Sequence, residues 1–152
     1  MWRVPENLWI TTGMAEGETP LNAFDNALLA AGIGNLNLIK VSSICPKNAR
    51  ITERKPEFEA GTLVPAVFTS VGSDVQGEEI SCAIGIGIGR GTYGVMMEHA
   101  HVGPLDVTEK VVREMVEGAF RRRGLPLEEV VVRSCHYRVE RIGCVVAAVL
   151  MW

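Results

Sequence analysis

Strand-forming residues dominate this chain, and only two stretches carry the spacing of a helix. Runs rich in Val, Ile, Leu, Thr and aromatic residues predict β-strands over residues 8–15, 33–46, 62–72, 79–89, 92–102, 128–139 and 142–151. The loop around residues 47–61 is mixed in charge and does not divide the chain into two complete folds. A chain of 152 residues is long enough to bury one core but not two, so we expect a single domain.

Both predicted helices have recognisable ends. Thr19 is a suitable N-cap for the first helix, and Gly32 suits the left-handed position that follows a helix. The second helix is expected to begin at Asp106 or Thr108 and to end at Gly124. The stripes predicted to face the core are Leu21, Phe24, Leu28 and Ala31 in the first helix, and Val111, Val112, Met115, Val116, Ala119 and Phe120 in the second.

The strand predicted over residues 33–46 carries a pair of nucleophiles, Ser42 and Ser43, near its end. The pattern predicts that this strand is mostly buried. A serine hydroxyl can attack a neighbouring peptide carbonyl when the backbone is held bent and the developing oxyanion is stabilised. The alternative is that two small residues satisfy each other's hydrogen bonds at a strand end.

Two acidic residues lie in apolar surroundings. Asp25 is beside the apolar stripe of the first helix, where it is either a solvated boundary residue or a counter-charge for a cationic ligand. Glu98 interrupts the apolar strand 92–102. Burial there would raise its pKa and keep a usable proton on it, whereas a wet strand edge or a subunit contact would leave it a surface acid.

Other motifs give weaker signals. His99 and His101 share one strand face and His136 lies elsewhere, but no spacing fixes a third ligand, so we expect no metal site. The alternating glycines of residues 85–91 miss the G-x-G-x-x-G spacing, and no helix pattern follows at once. They indicate a neighbour packed closely on the glycine face of a strand rather than a nucleotide site.

Composition restricts the partners of the chain. The net charge of −3 argues against nucleic acid, which favours a basic face. No stretch reaches the ~20 apolar residues of a membrane span, and the N-terminal residues lack the order of a signal peptide. We therefore expect a cytoplasmic protein without a membrane partner. The four cysteines form no C-x-x-C pair and are expected to be free, buried thiols.

Several segments taken together resemble the pyruvoyl-dependent arginine decarboxylases. The residues that carry this resemblance are Gly17–Asp25, Ala31–Ile39 and Val41–Ile44, and the later order of elements also agrees, including Met97-Glu98 and the strand that begins with Gly143-Cys144. The resemblance implies an α+β fold, a four-layer αββα sandwich of mostly antiparallel sheets with two main helices. It also implies a homotrimer with its active sites between subunits.

The resemblance further implies that the chain cuts itself between Ser42 and Ser43. The products would be a β chain of residues 1–42 and an α chain of residues 43–152. Ser43 would become a covalent pyruvoyl group, so that the enzyme needs neither a metal nor pyridoxal phosphate.

The same resemblance implies decarboxylation of L-arginine to agmatine and CO₂ through a Schiff base on the pyruvoyl group. Glu98 matches the proton donor, Asp25 the acid that receives the guanidinium, and Asn37 a residue of self-processing. Strand alternation places Asn37 on the Ser43 face, where its amide could donate to the oxyanion. Decarboxylation of another amino acid such as lysine, or an unprocessed assembly subunit, stays open.

Overall fold

The computed structural model describes residues 2–152 and contains nine strands and two helices within that range. The strands are β1 (Asn7–Glu16), β2 (Asn37–Lys40), β3 (Ile44–Cys45), β4 (Arg50–Ile51), β5 (Leu63–Ser73), β6 (Glu79–Gly89), β7 (Gly94–Val102), β8 (Leu127–Arg138) and β9 (Gly143–Met151). The helices are α1 (Pro20–Ala30) and α2 (Leu105–Arg123). The long predicted elements other than the strand at 33–46 are therefore confirmed, with small shifts at their ends.

The strands form two sheets. The first has the order β2-β5-β9-β1-β4, and the second has the order β3-β7-β6-β8. All pairings are antiparallel except those of the short edge strands β2 and β4, which run parallel to β5 and β1. The predicted predominance of antiparallel pairing is confirmed.

Strand β9 shows how the layers stack. It lies at the centre of the first sheet and is buried along its whole length. Val145, Ala147 and Val149 contact the apolar cluster between the two sheets, whereas Val146 and Ala148 contact the cluster beneath α1. Because both faces of β9 are covered, its sequence is continuously apolar instead of alternating with polar residues.

Helix α1 covers the outer face of the first sheet through small residues. Ala23, Ala27 and Ala31 are buried in that contact, and the Thr19 hydroxyl accepts the Asn22 N–H at 3.1 Å, as expected for an N-cap. The prediction for Leu21 is wrong, because its side chain is 75% exposed. The buried face runs through the three alanines with Phe24 and Leu28 beside them, and Leu21 lies outside it.

Helix α2 covers the outer face of the second sheet. A Cβ atom on Gly85 would lie 2.6 Å from Val112, and one on Gly87 would lie 2.5 Å from Phe120. The alternating glycines therefore allow the helix to approach the sheet, which confirms the packing interpretation of this motif. Both helices thus lie outside the paired sheets, and the predicted four-layer αββα sandwich is confirmed.

Details at the ends of α2 differ from the prediction. The helix begins at Leu105 after Pro104, without a side-chain cap, while Gly124 closes it with a left-handed φ of 65°. Met115, assigned to the inward stripe, is 37% exposed. The inward face is instead continued by Thr108, whose hydroxyl contacts the buried Ser81 hydroxyl at 2.6 Å.

All four cysteines are free and buried, as predicted. Cys82 and Cys135 are direct partners across β6 and β8. Neither helix of the described range is long and apolar enough to cross a membrane.

Candidate active site

The segment predicted as one strand over residues 33–46 is divided between the two sheets. Strand β2 ends at Lys40 in the first sheet, and β3 begins at Ile44 in the second, so the serine pair lies in the crossing between them. The Val41 N–H donates to the Ala66 carbonyl at 3.1 Å and fixes the start of the crossing. The prediction of one mostly buried strand is wrong, because the segment forms two short edge strands whose six residues include one buried residue, Cys45.

The backbone around Ser43 forms a tight turn. The Met96 N–H donates to the Ser43 carbonyl at 2.7 Å, which fixes the end of the crossing on β7. The Ile44 N–H donates to the Ser42 carbonyl at 3.1 Å, closing a three-residue turn with Ser43 at its centre. Ser43 has a negative φ, because Asn48 is the one non-glycine residue with a positive φ among residues 2–152. The turn centred on Ser43 is therefore an inverse γ-turn. The peptide between the two serines is therefore held bent, as self-attack requires.

Glu98 lies on the strand that holds this turn. It shares a face of β7 with Met96 and Ala100, both of which contact the core between the sheets. With a rise of about 3.3 Å per residue, Glu98 is about 7 Å along β7 from the amide that binds Ser43. Burial raises the pKa of the Glu98 carboxyl, and the opposing effect of Lys40 is smaller.

The side chain of Asn37 makes a hydrogen bond at the start of the first sheet's edge pair, β2 and β5. Its side-chain amide donates to the Gly61 carbonyl at 2.8 Å, and the residue is exposed. The alternation argument fails because regular strand geometry stops at Lys40, so side-chain direction is not carried through to Ser43. A contact of Asn37 with the oxyanion therefore stays a prediction.

Asp25 is exposed on α1, in the outermost layer of the molecule. No hydrogen bond or ion pair among residues 2–152 links it to Ser43 or Glu98. It lies between Leu21 and Leu29 at four-residue spacing, and these leucines are 75% and 48% exposed. The acid thus lies in the middle of an exposed apolar strip, and no hydrogen bond or ion pair within residues 2–152 connects it to the serine pair.

The three histidines do not converge. His99 Nε2 lies 3.3 Å from His101 Nδ1, and the other nitrogen of His101 lies 3.0 Å from the Thr108 hydroxyl. His136 instead lies 3.4 Å from a carboxylate oxygen of Glu79. Within residues 2–152, no group of three or more His, Cys, Asp or Glu side chains is placed to hold a metal ion.

Comparison with known proteins assigns this arrangement to a family. The family model described as pyruvoyl-dependent arginine decarboxylase matches residues 7–152. The chain belongs to this family. A protein of Methanocaldococcus jannaschii with the same name is 42% identical over 153 residues, covering 99% of this chain and 92% of the relative. A protein of the same name from Methanothermobacter thermautotrophicus is 44% identical, covering 93% of this chain and 93% of the relative. Another from Thermococcus kodakarensis is 39% identical, covering 99% of this chain and 98% of the relative.

The electrostatic surroundings of Glu98 draw attention to Lys40, which the sequence analysis missed. Its ammonium lies 5.0 Å from the centre of the Phe68 ring, and its charge lowers the pKa of Glu98 against the effect of burial. Lys40 is the last residue of β2, two positions before Ser42. Its position in the sequence could have indicated that Lys40 lies near the serines. Its effect on Glu98 of β7 could not be predicted, because it depends on how the two sheets stack.

Proposed function

We propose that this protein is a self-processing, pyruvoyl-dependent decarboxylase that converts L-arginine to agmatine and CO₂. The observation that carries the proposal is the bent peptide between Ser42 and Ser43, which is held on the strand that carries Glu98 in a chain of this family. The names of its relatives support arginine as the substrate.

Self-processing begins at the backbone. The Ser43 hydroxyl oxygen bonds to the Ser42 carbonyl carbon, the carbon–nitrogen bond breaks, and the hydroxyl proton ends on the Ser43 nitrogen. The resulting ester loses the Ser42 carboxylate by β-elimination, with removal of the Ser43 α-proton. The dehydroalanine that remains tautomerises, and water then replaces its nitrogen, which leaves as ammonia. The products are residues 1–42 and residues 43–152, the second beginning with the pyruvoyl group.

The structure offers a suitable place for that group. Ser43 follows an accessible segment, and its own carbonyl is fixed by the Met96 amide, so the new terminus would stay anchored on β7 after the cut. The pyruvoyl group supplies a ketone that reacts with the substrate amino group and a conjugated carbonyl that accepts electrons during loss of CO₂.

Glu98 is the proton donor of this proposal. Burial raises the pKa of its carboxyl, so a larger fraction of the side chain carries a proton than at an exposed position. Glu98 would deliver that proton to the substrate carbon that has lost CO₂. The charge of Lys40 limits the rise in pKa and so keeps the group able to release its proton.

The complete site requires a second subunit. Asp25 would bind the substrate guanidinium through a charge-assisted contact, but within one subunit it has no link to Ser43. Its position between the exposed Leu21 and Leu29 supports burial of this strip against a neighbouring copy. We therefore propose a homotrimer in which Asp25 completes the site of an adjacent subunit.

Asn37 would support processing by positioning rather than by direct contact. Its bond to the Gly61 carbonyl, just before β5, holds the edge strand β2 in register with Leu63 and the residues after it. That register sets where the crossing to β3 begins. Asn37 thus helps to fix the bend at Ser43 indirectly.

Denaturing mass spectrometry tests the proposal most directly. We expect two fragments that separate between Ser42 and Ser43, with the mass of a pyruvoyl terminus on the larger one. Borohydride added with arginine should attach the substrate to that fragment, and agmatine should form. Preference for lysine would identify a different basic amino acid as substrate, whereas an intact chain of 152 residues would favour an assembly subunit.

A further inference from the structure

The carbonyl that self-processing attacks already has a hydrogen-bond donor. The Ile44 N–H donates to the Ser42 oxygen at 3.1 Å across the turn centred on Ser43. This oxygen is the atom on which negative charge develops when the Ser43 hydroxyl attacks. We infer that the backbone N–H of Ile44 is the oxyanion donor of the self-cleavage step, an inference that rests on the proposed self-processing.

The pairing of β3 with β7 explains why the Ile44 N–H is not used by the ladder and can donate to the Ser42 carbonyl. The bond from Met96 to the Ser43 carbonyl marks a hydrogen-bonded position of the antiparallel ladder. Ile44 pairs with Val95 at the next position, which in such a ladder is not hydrogen-bonded. The Ile44 N–H is consequently directed away from β7, and it meets the Ser42 oxygen instead.

The same turn prearranges the donor before the reaction. Val41 is fixed to Ala66 in the first sheet, and Ser43 is fixed to Met96 in the second. The Ser42 carbonyl lies between these two anchors, so neither it nor the Ile44 amide must be reoriented for attack. A donor that is already in place at a developing charge is the arrangement that lowers a barrier most effectively.

The backbone donor at Ile44 differs from the side-chain donor that the sequence predicted, the Asn37 amide. The Asn37 amide is bonded to Gly61 and is separated from Ser43 by the end of β2. The Ile44 donor belongs to the backbone, so no side-chain pattern in the sequence could reveal it. Its contribution should survive substitution of the Ile44 side chain, which is 40% exposed.

The test removes the donor, and the accompanying weakening of the Ser43 carbonyl as an acceptor for the Met96 N–H is measured by the Met96 control below. An amide-to-ester replacement at Ile44, introduced as the α-hydroxy acid during cell-free synthesis of the full chain, keeps the side chain and deletes the N–H. Cleavage between Ser42 and Ser43 is followed by denaturing mass spectrometry. We expect a rate about tenfold or more below that of the unmodified chain, approaching the ~10²–10³-fold loss seen when one oxyanion donor is removed. Ile44→Val should cleave at the normal rate.

Two matched backbone esters exclude indirect effects. The ester at Met96 removes the anchor of the Ser43 carbonyl, and the ester at Cys45 reports the general effect of a backbone ester in β3. We expect both to slow cleavage less than the ester at Ile44 does. Equal slowing by the Met96 or Cys45 ester, or a normal rate for the Ile44 ester, would overturn the inference while leaving self-processing intact.

A second measurement serves if the Ile44 ester does not fold. In the Ser43→Ala chain, which lacks the nucleophile, the Ile44 amide should exchange its hydrogen slowly in D₂O because it is bonded to Ser42. Exchange at the rate of an unfolded peptide would overturn the inference. An unmodified chain that never cleaves would overturn both this inference and the proposed function.

Discussion

The Met96 amide donates a 2.7 Å hydrogen bond to the Ser43 carbonyl and thereby ties the serine pair to the strand of Glu98. The proposed nucleophile and the proposed proton donor belong to different parts of the sequence, yet this backbone bond links the segment of one to the strand of the other. Because Ser43 would become the pyruvoyl terminus, the same bond would align the cofactor with its acid after the cut. Self-processing and turnover, as proposed, would thus share one anchor.

The two serines should respond differently to substitution. Ser43→Ala removes the attacking hydroxyl and should leave one uncut chain. Ser42→Ala keeps the carbonyl that is attacked and should still cleave, because the Ser42 side chain takes no part in the reaction. Denaturing gels and mass spectrometry of freshly made protein distinguish these outcomes. Cleavage of the Ser43→Ala chain would remove that residue from the mechanism.

Glu98→Gln should separate processing from turnover. The amide has the same shape as the protonated carboxyl but cannot give up a proton, so cleavage should proceed while kcat falls by about 10²–10⁴-fold. Agmatine formation from arginine, measured on fully cleaved protein, provides the readout. Glu117→Gln, an exposed acid on the outer face of α2, is the control and should keep normal activity. Near-normal turnover by Glu98→Gln would contradict its assignment.

Lys40 should set the pH range in which Glu98 acts. A proton donor is active below its pKa, so kcat should fall as pH rises through the raised pKa of Glu98. Lys40 lowers that pKa, and Lys40→Met should therefore move the alkaline decline of kcat to higher pH. Lys47→Met, at an exposed loop position, should leave the profile unchanged. A profile of Lys40→Met that coincides with the unmodified enzyme would show that the two charges do not interact.

The sequence alone was sufficient for the elements whose signals are local. Thr19 and Gly32 bound the first helix, and the apolar run of residues 142–151 predicted the strand that the structure shows as β9. The crossing at residues 41–43 was not predictable, because it depends on two residues of β3 pairing with Val95 and Gly94 in the other sheet. Such pairing is non-local and leaves no periodic pattern in so short a segment.

The candidate site, whose roles stay proposals, divides in the same way between local and non-local signals. The identity of the serine pair, Glu98 and Asp25 came from residue types and from the family resemblance. The effect of Lys40 on Glu98, however, depends on how the two sheets stack. The direction of Asn37 relative to Ser43 stays a prediction, because β2 ends at Lys40 and strand alternation does not extend past it.

Asp25 should determine recognition of the substrate. A charge-assisted contact to the guanidinium contributes about 1.5–3 kcal/mol, so Asp25→Asn should raise the KM for arginine by about 10–100-fold. Cleavage should be unaffected, because Asp25 has no bond to the serine pair. Steady-state kinetics on processed protein would measure the change, with Asp106→Asn as the control. An unchanged KM would place the guanidinium elsewhere.

Close packing of α2 on the second sheet should make Gly87 intolerant of a side chain. A Cβ there would lie 2.5 Å from Phe120 and 2.6 Å from Val116, so Gly87→Ala should lower the free energy of unfolding by about 1–3 kcal/mol. Gly118→Ala is the matched control on the helix itself, since the nearest atom to its Cβ would be a flexible guanidinium nitrogen of Arg121 at 3.6 Å. Alanine favours a helix interior over glycine by about 1 kcal/mol, so this variant should be stabilised. Urea unfolding measures both variants in the Ser43→Ala background, which keeps the chain uncut. A Gly87→Ala variant as stable as the Ser43→Ala parent would show that the helix can move outward without cost.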